Sequence, residues 1–301
     1  MIHFTPTLGI KDTAKNVNGF IKENMDVFWE IFKPLAPYII VLSIIDVIII
    51  EYFMPVSQKT GMPHQIPIAG IIAGYFYTCL AISWHRVVIH GADNYEPMKP
   101  FNPKKSELAF IGMGILLFIG VFMGGFIVAL LGTIISPIMV IFIIPFILFA
   151  TYLWMKFMFY FPAKATGRHI SLEKSFVMTK GYIWKMFAGY FVTAFKVMLI
   201  MLAYVIASIF VILALDFAIT SFGGPQKLTK VILTSLYMIP LVLFFHPMFA
   251  IIWVSVLSNY YQYVMQNDGM PPTEEDYSHL TIPEAPKETP MDKGEPWGGR
   301  D

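Results

Sequence analysis

The sequence predicts an all-α, polytopic membrane protein: about six transmembrane helices with amphipathic cytoplasmic helices attached. Three observations predict it. First, 56% of the 301 residues are hydrophobic and only 14% are charged, against about 45–50% and 25% in soluble domains. Too few polar side chains remain to cover a water-facing surface, and the mean hydropathy is +0.64. Second, six stretches reach or approach the roughly 20 apolar residues that cross a bilayer. Third, those stretches are solidly apolar rather than alternating, so they read as helices and not as barrel strands. A net charge of +1 offers no basic field for nucleic acid. A single cysteine, Cys79, excludes an internal disulfide framework.

Three regions follow from the composition: a cytoplasmic arm (1–33), a transmembrane domain (34–263) and an acidic, Pro-rich cytoplasmic tail (264–301). In the arm, Ile10, Ala14, Val17, Ile21, Phe28, Ile31 and Leu35 recur at helical spacing, with Lys15, Lys22, Asp26 and Glu30 elsewhere. Such a helix can lie among lipid headgroups with Trp29 and Phe32 near its end, or pack on the protein as a short surface helix. The arm lacks the features of a cleavable signal, so the first span reads as a retained anchor.

The expected spans are Pro34–Met54, Ile66–Ile89, Leu108–Leu131, Ile134–Phe161, Met186–Leu215 and Val231–Tyr263. The third and fourth form one apolar run, which we expect to break at Gly132-Thr133 and Ser136-Pro137 into a tight hairpin. Pro145 is expected to kink the fourth span or mark a re-entrant segment, and Pro240 and Pro247 to kink the sixth. Fifteen Lys and Arg fall in the arm, the second and fourth loops and the tail, whereas the opposite loops hold only Lys59, Lys227 and Lys230. The positive-inside rule then puts both termini in the cytoplasm.

In the fourth loop, near 170–186, Ser171 is placed to cap a helix with Leu172, Phe176, Ile183 and Phe187 on one face. Trp184 beside Tyr182 suits the membrane boundary. The tail carries nine acidic and three basic residues and almost no long aliphatics, so we expect it to be disordered alone.

Two segments carry a resemblance. Ala81-Ile82-Ser83-Trp84-His85-Arg86 resembles the A-x-x-W-H-R exit from the second span in uncharacterised polytopic inner-membrane proteins of alphaproteobacteria. Pro162-Ala163-Lys164-Ala165-Thr166-Gly167-Arg168, followed by Ser175-Phe176, Thr179-Lys180-Gly181 and Trp184, resembles their P-A-x-A-x-G-R … S-W-x-x-T-R-G-x-x-W loop. Phe176 stands where those proteins have Trp, and Lys180 where they have Arg, which keeps the charge but loses the planar fork. A looser likeness extends to the membrane domain attached to some glycerophosphodiester phosphodiesterases. No polar stretch here is long enough to hold their catalytic barrel. The resemblance implies a helical inner-membrane bundle and no particular activity.

Ionisable groups inside spans are expensive and mark candidate sites. Asp46 and Lys196 both fall near mid-membrane, where they can neutralise one another. His246 stands beside Pro247, whose ring frees an upstream carbonyl that the imidazole can bond. Trp84, His85, Arg86, Lys164, Arg168, Lys174, Lys180, Trp184 and Lys185 read as interfacial anchors near lipid headgroups, as does Lys156. Gly112, Gly114, Gly120, Gly124 and Gly125 offer a close-packing face. No catalytic, cofactor or metal motif is present: His85 and His90 are spaced wrongly for one helix face, and the methionines are scattered.

The reading that follows is a non-enzymatic inner-membrane protein acting as accessory, scaffold or assembly partner of a membrane complex. Its expected partners are membrane lipids, anionic ones included, and a membrane protein or a second copy of itself; nucleic acid is not among them. The alternative is a small-solute or lipid transporter, or lipid-handling protein, using Asp46, Lys196 and His246.

Overall fold

The computed structural model describes residues 4–50, 68–134, 143–221 and 226–268. These residues are helical, with no strand among them. The elements are α1 (Ile10–Glu23), α2 (Met25–Phe32), α3 (Ala36–Ile48), α4 (Ile68–His90), α5 (Lys105–Ile134) and α6 (Ile143–Lys156). The short α7 (Tyr160–Ala165) and α8 (Leu172–Met178) lead to α9 (Ile183–Ser221), α10 (Gln226–Pro240) and α11 (His246–Asp268), the last two joined by a π-helical turn at Leu241–Phe245. The acidic tail beyond 268 and the loop holding Lys59 lie outside the described residues.

Among the described residues, four helical stretches are long and apolar enough to cross a membrane: Lys105–Ile127, Ile144–Ala165, Ile183–Ile219 and Val231–Gln266. The pair α2–α3, bent by 59°, makes a fifth if counted as one span. The described residues thus supply four or five of the six expected spans. The expected second span, α4, is not among them: its last turns carry Ser83, His85, Arg86 and His90, and the residues before Ile68 lie outside the described residues.

The core sits at one end of the bundle. There α4 packs on α11 and α3, and α1 packs on α9 and α11. Trp84, Tyr260, Tyr261, Phe28, Phe32 and Phe159 are fully buried in it. The amphipathic arm is part of this core: Val17, Phe20 and Ile21 of α1 turn into the protein, so its apolar face packs on the chain rather than among headgroups. Away from that end the apolar side chains face outward, as at Phe122, Phe149, Phe195 and Phe210. A contiguous apolar surface of this kind is a liability in water and is solvated in a bilayer. The long α9, 39 residues and about 58 Å, exceeds the hydrocarbon thickness, so one end of it extends past the apolar layer.

Pro145 lies two residues into the described part of α6, and the residues before Ile143 lie outside the described residues. Pro240 ends α10 and Pro247 opens α11, with the π turn between them. Helix α5 continues through Gly132-Thr133 to Ile134, so the hairpin does not break there. The second expected breaker, Ser136-Pro137, lies outside the described residues.

Candidate binding cleft and the polar seam behind it

Near the end of α4, consecutive side chains fan out to different neighbours. The Trp84 indole donates to Ser255 Oγ at 2.8 Å, and His85 Nδ1 pairs with Ser258 Oγ at 2.7 Å. Asn259 completes the polar face of α11: its amide accepts from Thr7 N at 2.9 Å and donates to Thr7 O at 2.8 Å. That exchange pins the stretch before α1 to the core. Ser255, Ser258 and Asn259 stand at i, i+3 and i+4, one helix face.

Arg86 is buried and its guanidinium is shared among three elements. Nε donates to Ala165 O of α7 at 2.6 Å, Nη1 to Glu96 O at 2.9 Å, and Nη2 to Glu107 Oε1 at 2.6 Å. Glu107, in the first turn of α5, also accepts from Lys104 N at 2.6 Å, as in a capping box. One carboxylate thus caps α5 and neutralises Arg86.

Trp84, His85 and Arg86 are therefore inside the protein, which corrects the reading of them as headgroup anchors. Lys164 is also buried, with Nζ over the Tyr160 ring. So is Lys156, which donates to Phe176 O at 3.3 Å. The amphipathic logic failed at these positions because hydropathy cannot distinguish a charge turned outward from one met by carbonyls. Arg168 and Lys185 are partly buried, whereas Lys174, Lys180 and Trp184 are exposed, Trp184 at 70%.

Ser171 caps α8 as expected, accepting from Lys174 N at 3.1 Å. The rest of that loop differs. Gly181, at φ +87°, separates α8 from α9, so Leu172 and Phe176 do not share one face with Ile183 and Phe187. The side of α8 that docks is polar: Thr179 Oγ1 donates to Lys156 O at 3.1 Å, and Ser175 Oγ accepts from Tyr160 N at 3.1 Å.

The three intramembrane candidates do not converge. Asp46 Oδ1 accepts from Ala69 N at 3.2 Å, so it sits at the N-terminus of α4, where the first amides lack partners. Lys196 is exposed on α9, and no Asp46–Lys196 ion pair forms. His246 is exposed, its ring edge-on to Tyr77. The carbonyl expected to be freed near Pro247 is served by another group: Tyr77 Oη donates to Val242 O at 2.7 Å. His246 N bonds Leu241 O, so in this π register the next amide would serve Val242, and Pro247 has none.

A cavity of about 870 Å³ lies between α4 and α11 on one side and the α5–α6 hairpin on the other. It follows α4 from Gly70 to His85, about 22 Å at helical rise. Its walls are mostly apolar, with Phe118 and Phe122 toward one end and Phe110 and His85 toward the other; Tyr75, Thr78, Trp154 and Trp253 also line it, and no Asp, Glu, Lys or Arg does. The hairpin is closed within itself by Gly124, where an added Cβ would meet the Phe146 ring at 2.5 Å. Gly112 and Gly120 meet nothing, so the expected glycine face is used only at its far end, and Gly114 borders the cavity instead.

Among the described residues no group of three His, Cys, Asp or Glu side chains is placed to hold a metal ion. Sequence reasoning missed Ser255, Ser258, Asn259, Glu107 and Tyr77. The polar trio at i, i+3 and i+4 in an otherwise apolar helix was the available signal for the first three. The chain matches no protein-family model, no curated protein and no solved structure.

Proposed function

We propose that this chain is a non-enzymatic multi-pass membrane protein that holds a lipid or lipid-like molecule in the cleft between α4, α11 and the α5–α6 hairpin. The carrying observation is the cavity itself. Its 870 Å³ lies within the range of about 300–1,000 Å³ typical of small-molecule sites, and its uncharged walls suit an apolar occupant. The test is lipid analysis of the protein extracted in native-membrane discs. A retained lipid at fixed stoichiometry is expected, reduced in Gly74→Leu, because a side chain at Gly74 meets nothing within 4 Å and enters the cavity. No retained lipid, or retention unchanged in Gly74→Leu, overturns the reading.

A scaffold or assembly role is the second reading, favoured by the exposed Lys174, Lys180 and Trp184 on one side of the packed end. A stoichiometric protein partner that is lost on changing Trp184→Ala supports it. Solute transport by Asp46, Lys196 and His246 is not carried further, since none of the three lines the cleft. We also infer that the packed end faces the cytoplasm, on the strength of its basic residues, and that the membrane is a bacterial inner membrane, as the resemblance implies. In a Cys79→Ser background, single cysteines at positions 93 and 174 should both resist an impermeant thiol reagent in intact spheroplasts and react after lysis.

A further inference from the structure

His85 is nearly fully buried, yet its ring lines the cleft. Nδ1 is engaged by Ser258 Oγ, and the ring packs edge-to-face with Phe110, which also lines the cleft. The Ser258 hydroxyl has no other acceptor within reach, unlike Ser83, Ser43 and Thr193, which donate back to their own helices. A buried hydroxyl proton needs an acceptor, so Ser258 donates to Nδ1. The proton of the neutral ring is then on Nε2, a tautomer fixed by the network. A ring N–H therefore stands at the Phe110 end of a mostly apolar chamber that the Trp154 and Trp253 indoles also line.

We propose that this donor selects the occupant: a neutral, elongated apolar molecule with a carbonyl oxygen at one end, held by His85 Nε2–H, its chain running along α4 toward Phe118 and Phe122. The proposal rests on the cleft-binding reading above and adds the chemistry of the end group. An ionised carboxylate is excluded, because no cation lines the chamber to offset its desolvation. A pure hydrocarbon leaves the donor unsatisfied. An acyl ester and an isoprenoid quinone share the required carbonyl.

The test uses the full chain in lipid nanodiscs and a photoreactive octadecanoic acid methyl ester, with crosslinks mapped by mass spectrometry. Unlabelled methyl octadecanoate is expected to compete about tenfold better than octadecyl methyl ether, the worth of one hydrogen bond in an apolar site. Octadecanoate at pH 8 should compete poorly. Adding an isoprenoid quinone in a separate arm identifies the source, and competition by either carbonyl compound supports the proposal. In His85→Phe the ester and ether should compete equally while crosslinking to the cleft persists. His85→Gln, which can present an N–H near the same place, should keep part of the preference and guards against misfolding of the first variant. Equal competition by ester and ether in the unaltered protein overturns the carbonyl proposal and leaves the cleft intact. Absence of crosslinks in α4 and α5 overturns both.

Discussion

A guanidinium survives inside this protein because acceptors from three elements meet it. Arg86 and Glu107 are only 8% and 2% exposed at their side chains, whereas Lys104 and Glu96 form their pair at 56% and 59%. Burial decides what each pair is worth. Glu107→Ala strands a buried cation and should cost about 3–5 kcal/mol, read as a large fall in the unfolding midpoint in micelles. Glu96→Gln should cost no more than a few tenths of a kcal/mol. The Lys104 ammonium holds the Glu96 carboxyl below its ordinary range. Its small stabilisation is therefore present above the ordinary carboxylate pKa and is lost as pH falls through the depressed one. A midpoint-against-pH profile of Glu96→Gln should differ from the parent only above that acid window. At Tyr77 the hydroxyl supplies the hydrogen that Pro247 cannot. Tyr77→Phe should cost about 1 kcal/mol, and Pro247→Ala should recover part of that loss by returning an amide to the turn. Equal losses in the single and double variants would refute this account.

Single local contacts hold whole elements at this protein's joints. Helix α8 has only seven residues, too few to persist without docking. Its Ser171 cap and the Ser175 and Thr179 bonds to α6 and α7 supply that docking. Ser171→Ala should cost about 1 kcal/mol and raise amide exchange in α8 while leaving α4 and α11 unchanged. The α5–α6 hairpin is set by one close approach. Gly124→Ala should displace Phe146 and destabilise the hairpin, Gly112→Ala should not, and Phe146→Ala should relieve the first defect. If Gly112→Ala and Gly124→Ala behave alike, the hairpin is not packed through Gly124.

Across the whole molecule, packing and apolar character separate into two ends. The packed end joins α1, α4, α7 and α11 through polar bonds that span the chain. The far end presents outward-facing apolar side chains on α5, α6 and α9. Because α1 belongs to the core, the arm is not an independent membrane binder. Replacing Phe20 by Glu should destabilise the entire fold in micelles, rather than leave a stable body with a detached helix.

Composition and run length determined the helical class and the presence of helices apolar enough to cross a membrane, because the transfer of apolar side chains into hydrocarbon is a property of each residue and sums along the chain. The Ser171 cap was legible for the same reason: its partner is three residues away. The buried roles of Trp84, His85 and Arg86 were not legible, nor was the part played by Asp46. Trp84 meets Ser255 across 171 positions, and Tyr77 meets Val242 across 165. A sequence marks such side chains as polar but does not say which distant carbonyl, hydroxyl or carboxylate will face them. Only the tertiary packing chose between solvent, headgroup and protein for each charge, and it alone left a chamber between α4 and the hairpin, since a void is defined by elements that fail to touch.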